Sequence, residues 1–258
     1  MKKILSIALC AAAVSAFAVP AEVELGAVGV TAITSSLSNT IVAISYNDLA
    51  GGSGMVYSNL VKTTNLTVGD RLVEFRDDKY TGWVLALAES GNVKYWKETN
   101  EIFVDGSGHQ INLISSTADT VRGAVGTGIW LMRQNPKDTS GNPLPFYIYG
   151  KPVSSKITTT QAGKWNLLGN PNETGSFSGF TPVVGDQIAI PVDNGFRTYR
   201  CRVKDGKTQW FYETYSTSED GKTATATATA TKVYGPPSVD AAKGLWYYTR
   251  DSQTINWN

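Results

Sequence analysis

The amino-acid sequence predicts an all-β protein, and three observations support this: its composition, its short strand-like runs and an internal repeat. Charged residues make up only 17% of the 258 residues, whereas glycine (25), tyrosine (12) and tryptophan (7) are frequent. Aromatic and β-branched side chains favour strands, and glycine favours the turns between them. The composition is therefore typical of a protein built from strands and turns.

The strand prediction rests on short β-branched or aromatic runs that Gly, Asn, Asp or Pro residues bound. They are residues 39–46, 71–75, 83–87, 111–114, 129–132, 146–149 and 187–190. Residues 85–89 (LALAE) are the only modest helix candidate, and this run is too short to form a helix without a cap.

The internal repeat first shows in two glycine–aspartate pairs. Gly69-Asp70 recurs as Gly185-Asp186, 116 residues later, and GIW at 128–130 recurs as GLW at 244–246 with the same offset. This offset predicts that residues 68–130 match residues 184–246 without a gap, whereas residues 41–48 match residues 165–172 at an offset of 124. Residues 83, 85 and 87, and likewise 199, 201 and 203, would each share one buried strand face. The repeat also predicts three pairs of core aromatic residues: Trp83/Tyr199, Tyr95/Phe211 and Trp130/Trp246.

These features predict two tandem, related β-sandwich-like domains that arose by internal duplication, with an offset of about 116 residues. A unit of just over a hundred residues has the size of a β-sandwich. We place a signal peptide at residues 1–21, the first β-sandwich repeat at 22–150 and the second at 151–258. The alternative is one fused, pseudo-symmetric sandwich or barrel.

The N-terminus predicts export. Lys2 and Lys3 precede a short apolar run, and the small residues Ala16 and Ala18 fit the cleavage site of a secretory signal peptide. No later stretch is apolar over the ~18 residues that a membrane helix needs, so we expect no transmembrane segment in the mature chain. The formal net charge of +1 does not favour nucleic acid as a partner. We expect a periplasmic, cell-surface or extracellular location.

Two short stretches carry a resemblance. Residues 163–171 (GKWNLLGNP) resemble the GWNLxGNP stretch of secreted or surface proteins of Gram-negative bacteria. Residues 128–135 (GIWLMRQN), followed by residues 146–150, are similar to uncharacterised exported proteins with a glycine–hydrophobic–tryptophan strand in each of two repeats. The resemblance implies an exported β-rich protein of a kind that includes surface-associated proteins. It assigns no catalytic residue to this chain.

The sequence contains no recognisable constellation of catalytic residues. His109 is the only histidine, which excludes histidine-rich metal sites, and no G-x-S-x-G motif accompanies it. Cys201 stands where the repeat has Leu85, so we interpret it as a small core residue. We expect no enzymatic activity, no metal and no cofactor.

Paired carboxylates could still hydrolyse a glycosidic bond, since that reaction needs two acids and no histidine. Asp70 and Asp77 recur as Asp186 and Asp193. Each precedes a strand or lies in a turn, where an aspartate side chain accepts hydrogen bonds from nearby backbone N–H groups. We favour this structural interpretation.

Aromatic side chains are the remaining candidates for ligand binding, because a flat ring can stack on a sugar. Trp165, Trp257, Tyr247 and Tyr248 are less constrained by the repeat than the paired aromatics. We expect a non-enzymatic exported protein with a structural or adhesive role at or outside the cell envelope, whose partners would be glycans or cell-envelope components. The alternatives are a carbohydrate-binding module pair and, second, a carboxylate-based glycoside hydrolase.

Residues 222–232 (KTATATATATK) alternate with period 2, which is typical of a strand. The offset of 116 aligns Thr227 and Thr229 with Ile111 and Leu113. We therefore expect the threonine methyl groups on the buried face and the alanines outside.

Overall fold

A computed structural model of the chain describes residues 28–35, 37, 39–49, 52–56, 65–76, 78–89, 93–99, 102–104, 110–114, 122–192, 195–213, 216–217, 224–225 and 237–258. These residues form strands and turns, without a helix, which confirms the all-β prediction. No helix long and apolar enough to cross a membrane is found within these ranges. The predicted signal peptide and most of the threonine–alanine run lie outside them.

The strands of the first half (up to residue 150) are β1 (Gly29–Ile33), β2 (Asn39–Ala43), β3 (Met55–Val56), β4 (Arg71–Arg76), β5 (Lys79–Leu87), β6 (Lys94–Thr99), β7 (Ile102–Val104), β8 (Gln110–Ile114), β9 (Arg122–Gly123), β10 (Gly128–Met132) and β11 (Phe146–Gly150). All seven predicted runs, six of them in this half, coincide with strands in whole or in most of their length. Alternation explains several of them: β1 and β11 bury every second residue, because successive side chains point to opposite faces.

The strands of the second half (residues 151–258) are β12 (Ile157–Thr159), β13 (Lys164–Gly169), β14 (Ser176–Phe177), β15 (Gln187–Val192), β16 (Gly195–Lys204), β17 (Lys207–Glu213), β18 (Ser216–Thr217), β19 (Ala224–Thr225), β20 (Val239–Asp240), β21 (Gly244–Thr249) and β22 (Thr254–Asn256). Only Ala224 and Thr225 of the threonine–alanine run are described, so its predicted orientation lies outside the described residues.

Each half contributes one large sheet. The order is β2-β10-β4-β5-β8-β7 in the first half, with β6 also paired to β5, and β13-β21-β15-β16-β17 in the second. Neighbouring strands are antiparallel except for β5 and β8. Among the described strands no sheet closes on itself, so the barrel form of the alternative is not found.

Small two-stranded sheets cover the outer faces of the large ones. In the first half, Phe146 and Ile148 of the β1–β11 sheet share a core with Leu72 and Trp83 of the large sheet. In the second half, the β12–β22 and β14–β20 sheets share a core with β15, β16 and β21. Each half is thus sandwich-like, with a core between one large and one small layer.

A third apolar cluster lies between the two large sheets. It joins Ile41, Val73 and Trp130 of the first half to Leu167 and Trp246 of the second. The Trp130 and Trp246 rings meet edge to face, 6.4 Å apart between centroids. Central strands such as β10 are therefore buried on both faces.

Backbone hydrogen bonds join the halves at the centre. The Ala43 N–H donates to the Ala242 carbonyl (2.9 Å), and the Gly169 N–H donates to the Gly126 carbonyl (3.0 Å). Cβ atoms added to Gly128 or Gly244 would both meet Ile41 Cγ2 and the Leu168 carbonyl. The glycine of each glycine–hydrophobic–tryptophan stretch thus permits close packing at the junction.

The same local hydrogen bonds recur at the offset of 116. The Asp70 carboxylate accepts the Gln134 N–H (2.7 Å), and the Asp186 carboxylate accepts the Arg250 N–H (2.8 Å). Gly69 and Gly185 have φ angles of 95° and 96° and donate to equivalent carbonyls in β5 and β16. The β2-β10-β4-β5 and β13-β21-β15-β16 pairings also correspond.

The ungapped alignment is wrong at β6 and β17, although the offset of 116 holds again at β10 and β21. Leu85 pairs with Trp96, and Cys201 pairs with Trp210, so these two tryptophans correspond at an offset of 114. The reason is a shorter turn between β16 and β17 than between β5 and β6. Consequently Tyr95, a predicted core residue, is 42% exposed.

The upstream match and one buried face also need correction. In the strand pairings, Ala43 and Gly169 occupy equivalent places opposite Gly128 and Gly244, which makes the upstream offset 126 instead of 124. The predicted buried face ends early as well. Leu87 and Val203 are 48% and 59% exposed, because β5 and β16 extend past the core towards their hairpin turns.

Candidate functional site

The asparagines of the GKWNLLGNP stretch hold the backbone in place. Asn166 accepts a hydrogen bond from the Gln161 N–H (2.8 Å) and donates to the Tyr247 carbonyl (3.2 Å). Asn170 is fully buried and donates to the Val239 carbonyl (3.0 Å). Their roles are structural, since each satisfies backbone groups of neighbouring loops and strands.

The apolar residues of this stretch pack on two sides of β13. Leu167 enters the cluster between the two large sheets, and Leu168 enters the core of the second half. A Cβ added to Gly169 would lie 2.5 Å from Ala43, so glycine is needed at this close approach. Trp165 is the large apolar residue of this stretch that belongs to neither of these two clusters.

Trp165 and Tyr248 form a partly exposed aromatic pair. They are direct partners across β13 and β21, so their side chains lie on the same sheet face. The ring centroids are 5.7 Å apart, with an interplanar angle of 59°. Trp165 is 37% exposed and Tyr248 is half-buried. The predicted sugar-stacking residues thus meet at these two positions.

A line of five side chains crosses the whole second sheet at this level. The register places Trp165 opposite Tyr248, Tyr248 opposite Gln187, Gln187 opposite Arg200, and Arg200 opposite Phe211. Directly opposed residues share a face, and neighbouring strands are about 4.8 Å apart. We call these five residues the cross-sheet row. Phe211, at its far end, is buried, whereas Gln187 and Arg200 are half-buried.

The cross-sheet row lies where the contact between the two large sheets ends. Trp246, two residues before Tyr248 on the same face of β21, packs against Phe75 and Tyr80 of the first half, with centroids 5.0 and 6.3 Å away. Beside Trp165, Lys164 forms an ion pair with Asp78 (2.5 Å) in the turn between β4 and β5. This hairpin of the first half therefore borders the exposed end of the row.

Two of the four predicted binding residues are not accessible. Tyr247 is 0% exposed, and its hydroxyl donates to Asp186 (2.9 Å); burial is also the main reason that its pKa is raised. Trp257 is 0% exposed, and its Nε1–H donates to Thr158 Oγ1 (2.9 Å). Both belong to the core of the second half, because alternate residues of β21 point inward and Trp257 follows β22. This corrects the expectation for Tyr247 and Trp257.

The first sheet has no aromatic counterpart of this row. Its equivalent line is Asn39, Met132, Arg71, Val84 and Lys97. At these five positions the first sheet therefore offers no aromatic ring for stacking on a sugar.

Asp70 and Asp186, the two predicted candidate acids that are described, have structural roles. Asp70 is 1% exposed and accepts the N–H groups of Thr67 (2.9 Å) and Gln134 (2.7 Å). Asp186 is 0% exposed and accepts bonds from three groups, one backbone and two side-chain. Burial raises the pKa of both carboxyls, and their hydrogen bonds oppose that rise. Asp77 and Asp193 lie outside the described residues.

Cys201 lies in the core of the second half, where burial raises the pKa of its thiol to about 11. His109 lies outside the described residues. Within the described ranges, no three His, Cys, Asp or Glu side chains come together as metal ligands.

Sequence reasoning selected Trp165 and Tyr248 as separate candidates, but it did not connect them with each other or with Arg200. Gln187 was not a candidate, and Phe211 was predicted only as a core residue. Recognising that these residues form one row requires the register of four strand pairs. That register cannot be deduced from the spacing of residues within one strand.

Comparison with known proteins adds no relative: no family model, no curated protein and no solved structure matches the chain. The function therefore has to be inferred from the chemistry of the described residues.

Proposed function

We propose that this is a non-enzymatic exported protein with an adhesive role at or outside the cell envelope, and that it adheres by binding carbohydrate on the cross-sheet row. The observation that carries the proposal is the partly exposed Trp165–Tyr248 pair, aligned with an amide and a guanidinium group on one sheet face.

The chemistry of the row suits a sugar. The C–H face of a pyranose is flat and apolar, so it can stack on the partly exposed rings of Trp165 and Tyr248. Its hydroxyl groups need polar partners, and Gln187 and Arg200 offer an amide and a guanidinium for that purpose. Both are carried by β-strands, and rigid elements position binding groups more accurately than loops do.

Export is supported by the signal-peptide pattern at residues 1–21. A duplication is supported by the hydrogen bonds that recur around Asp70 and Asp186. We propose two related copies that fold together as one pseudo-symmetric unit, because the central hydrogen bonds and the third apolar cluster cross between them. In this proposal one copy kept or gained the binding row and the other supports it.

The hydrolase alternative receives no support from Asp70 and Asp186, the two predicted acids that are described. Asp70 and Asp186 are buried and use their oxygens on neighbouring groups of their own half. A general acid and a nucleophile would both have to reach a substrate. The row contains no carboxylate, which fits binding without cleavage.

A glycan array, followed by pull-down on the polysaccharides that score, tests the proposal. We expect Trp165→Ala and Tyr248→Ala each to weaken binding at least tenfold. Asn39→Ala, at the exposed equivalent position of the first sheet, is the matched control and should bind as wild type. Binding that survives both aromatic substitutions, or no binding to any glycan, would overturn the proposal.

A further inference from the structure

The face that carries the cross-sheet row continues into a cationic surface. Along β16, Arg202 and Lys204 follow Arg200 at alternate positions, so all three point to the same side. Lys207 of β17 lies directly opposite Lys204. Arg202 and Lys207 are exposed, and Arg200 and Lys204 are half-buried. We call these four side chains the cationic end.

We propose that the ligand of this face is an acidic polysaccharide, whose sugar rings stack on Trp165 and Tyr248 while its carboxylate groups bind the cationic end. This inference rests on the proposed carbohydrate-binding function and names its ligand class. Arginine suits the role, because its planar guanidinium can bind a carboxylate through two parallel hydrogen bonds.

The spacing requires a polymer. Trp165 and Arg200 are three strands apart in the register, which is about 14 Å at the usual spacing of strands. Arg202 and Lys204 lie about 7 and 13 Å farther along β16, since a strand rises about 3.3 Å per residue. One sugar cannot reach both the aromatic pair and these cations, whereas a chain of uronate residues can.

The first sheet has apolar side chains at the positions where the second sheet has the cations of β16. At the positions equivalent to Arg200, Arg202 and Lys204 it has Val84, Ala86 and Ala88. The β4–β5–β6 pairing corresponds to the β15–β16–β17 pairing, so a strand at this place forms without cations on this face. Asp205, in the turn between Lys204 and Lys207, is a carboxylate near this surface, and it is exposed at the tip.

Single-stranded nucleic acid also binds aromatic and cationic surfaces. It is disfavoured because the whole chain has 23 basic and 22 acidic residues, whereas nucleic-acid-binding domains are usually strongly basic. An oligonucleotide is therefore included in the test as a competing ligand.

Affinity electrophoresis of the full chain tests the inference with polygalacturonate, alginate, hyaluronate and heparin, and with carboxyl-reduced forms of the first three as neutral controls. We expect at least one carboxylated polymer to bind tenfold tighter than its reduced form, with affinity falling as salt rises. Arg202→Gln and Lys204→Gln should each weaken that binding about three- to tenfold. Lys97→Gln, an exposed cation of the first sheet, is the matched control and should have no effect.

The outcomes separate the two proposals. Equal binding to an acidic polymer and its reduced form, still dependent on Trp165, would overturn the acidic ligand and leave carbohydrate binding in place. Failure to bind any of the four acidic polymers would also overturn it. Tighter binding to a thymidine oligonucleotide than to all polymers would overturn both. Loss of binding in Arg202→Gln counts as support only if its unfolding midpoint in urea equals that of wild type.

Discussion

Replacing Gly126 by alanine should destabilise the protein by about 3–6 kcal/mol. Gly126 has a φ of +86°, and a left-handed conformation costs an L-residue about 1–2 kcal/mol. The added Cβ would overlap Thr158 Oγ1 and lie 2.8 Å from Nε1 of Trp257. These two groups are hydrogen-bonded to each other (2.9 Å), so the methyl group would cause overpacking of about 1–3 kcal/mol and weaken a buried bond of about 1 kcal/mol.

The matched control is Ala242→Gly at the equivalent position of the second half. Ala242 has a φ of +62°, is 2% exposed and belongs to the core of the first half. Glycine there relieves backbone strain, but it removes a buried methyl group and increases the conformational entropy of the unfolded chain. Because these effects oppose each other, we expect the free energy of unfolding to change by no more than about 1 kcal/mol.

Urea unfolding followed by tryptophan fluorescence measures both variants. The shift should appear in the midpoint with an unchanged slope. A Gly126→Ala protein within about 0.5 kcal/mol of wild type, or an equal loss for Ala242→Gly, would refute the reasoning from close packing at the junction.

Three further predictions concern buried groups. Because burial raises the pKa of Asp70 above its ordinary value of 3.8, the folded state holds this proton more tightly; its contribution to stability is greatest below pH 3.8 and is lost as pH rises through the raised pKa. Asp70→Asn should reduce that pH dependence in urea titrations. It should also cost about 1–3 kcal/mol, since an amide N–H₂ would face a backbone donor. A variant whose free energy of unfolding depends on pH as in wild type would contradict this. Cys201 should react with a thiol reagent at pH 8 only on unfolding, because its thiol is buried with a pKa of about 11; rapid labelling of native protein would contradict it. Trp246→Ala should cost about 3–5 kcal/mol, and Tyr248→Ala less than half as much, which scanning calorimetry can compare; equal losses would mean that Tyr248 is a core residue.

The strands and their buried faces could largely be predicted, because period 2 and bounding turn residues are local properties. The Gly-Asp recurrence was also visible, and both described aspartates have the structural role expected of them. The alignment of Tyr95 with Phe211 failed, because the separation of the paired residues Cys201 and Trp210 is two residues shorter than that of Leu85 and Trp96, which shifts the register without changing the strand pattern.

The candidate site could be predicted only in part. Sequence reasoning ranked Trp165, Trp257, Tyr247 and Tyr248 together, whereas burial separates them into two exposed or half-exposed rings and two core residues. Alternation assigns Tyr247 and Tyr248 to opposite faces, but it does not say which face another layer covers.

The sequence by itself determined the all-β class and the positions of most strands, since both follow from side chains close together in the chain. It also showed that the Gly-Asp pair and the glycine–hydrophobic–tryptophan stretch each occur twice. The tertiary structure alone decided which aromatic rings face solvent and that Trp165, Tyr248, Gln187 and Arg200 form one row. The physical reason is that the row and its exposure depend on strand register and on the packing of layers, and both are set by contacts between residues far apart in the sequence.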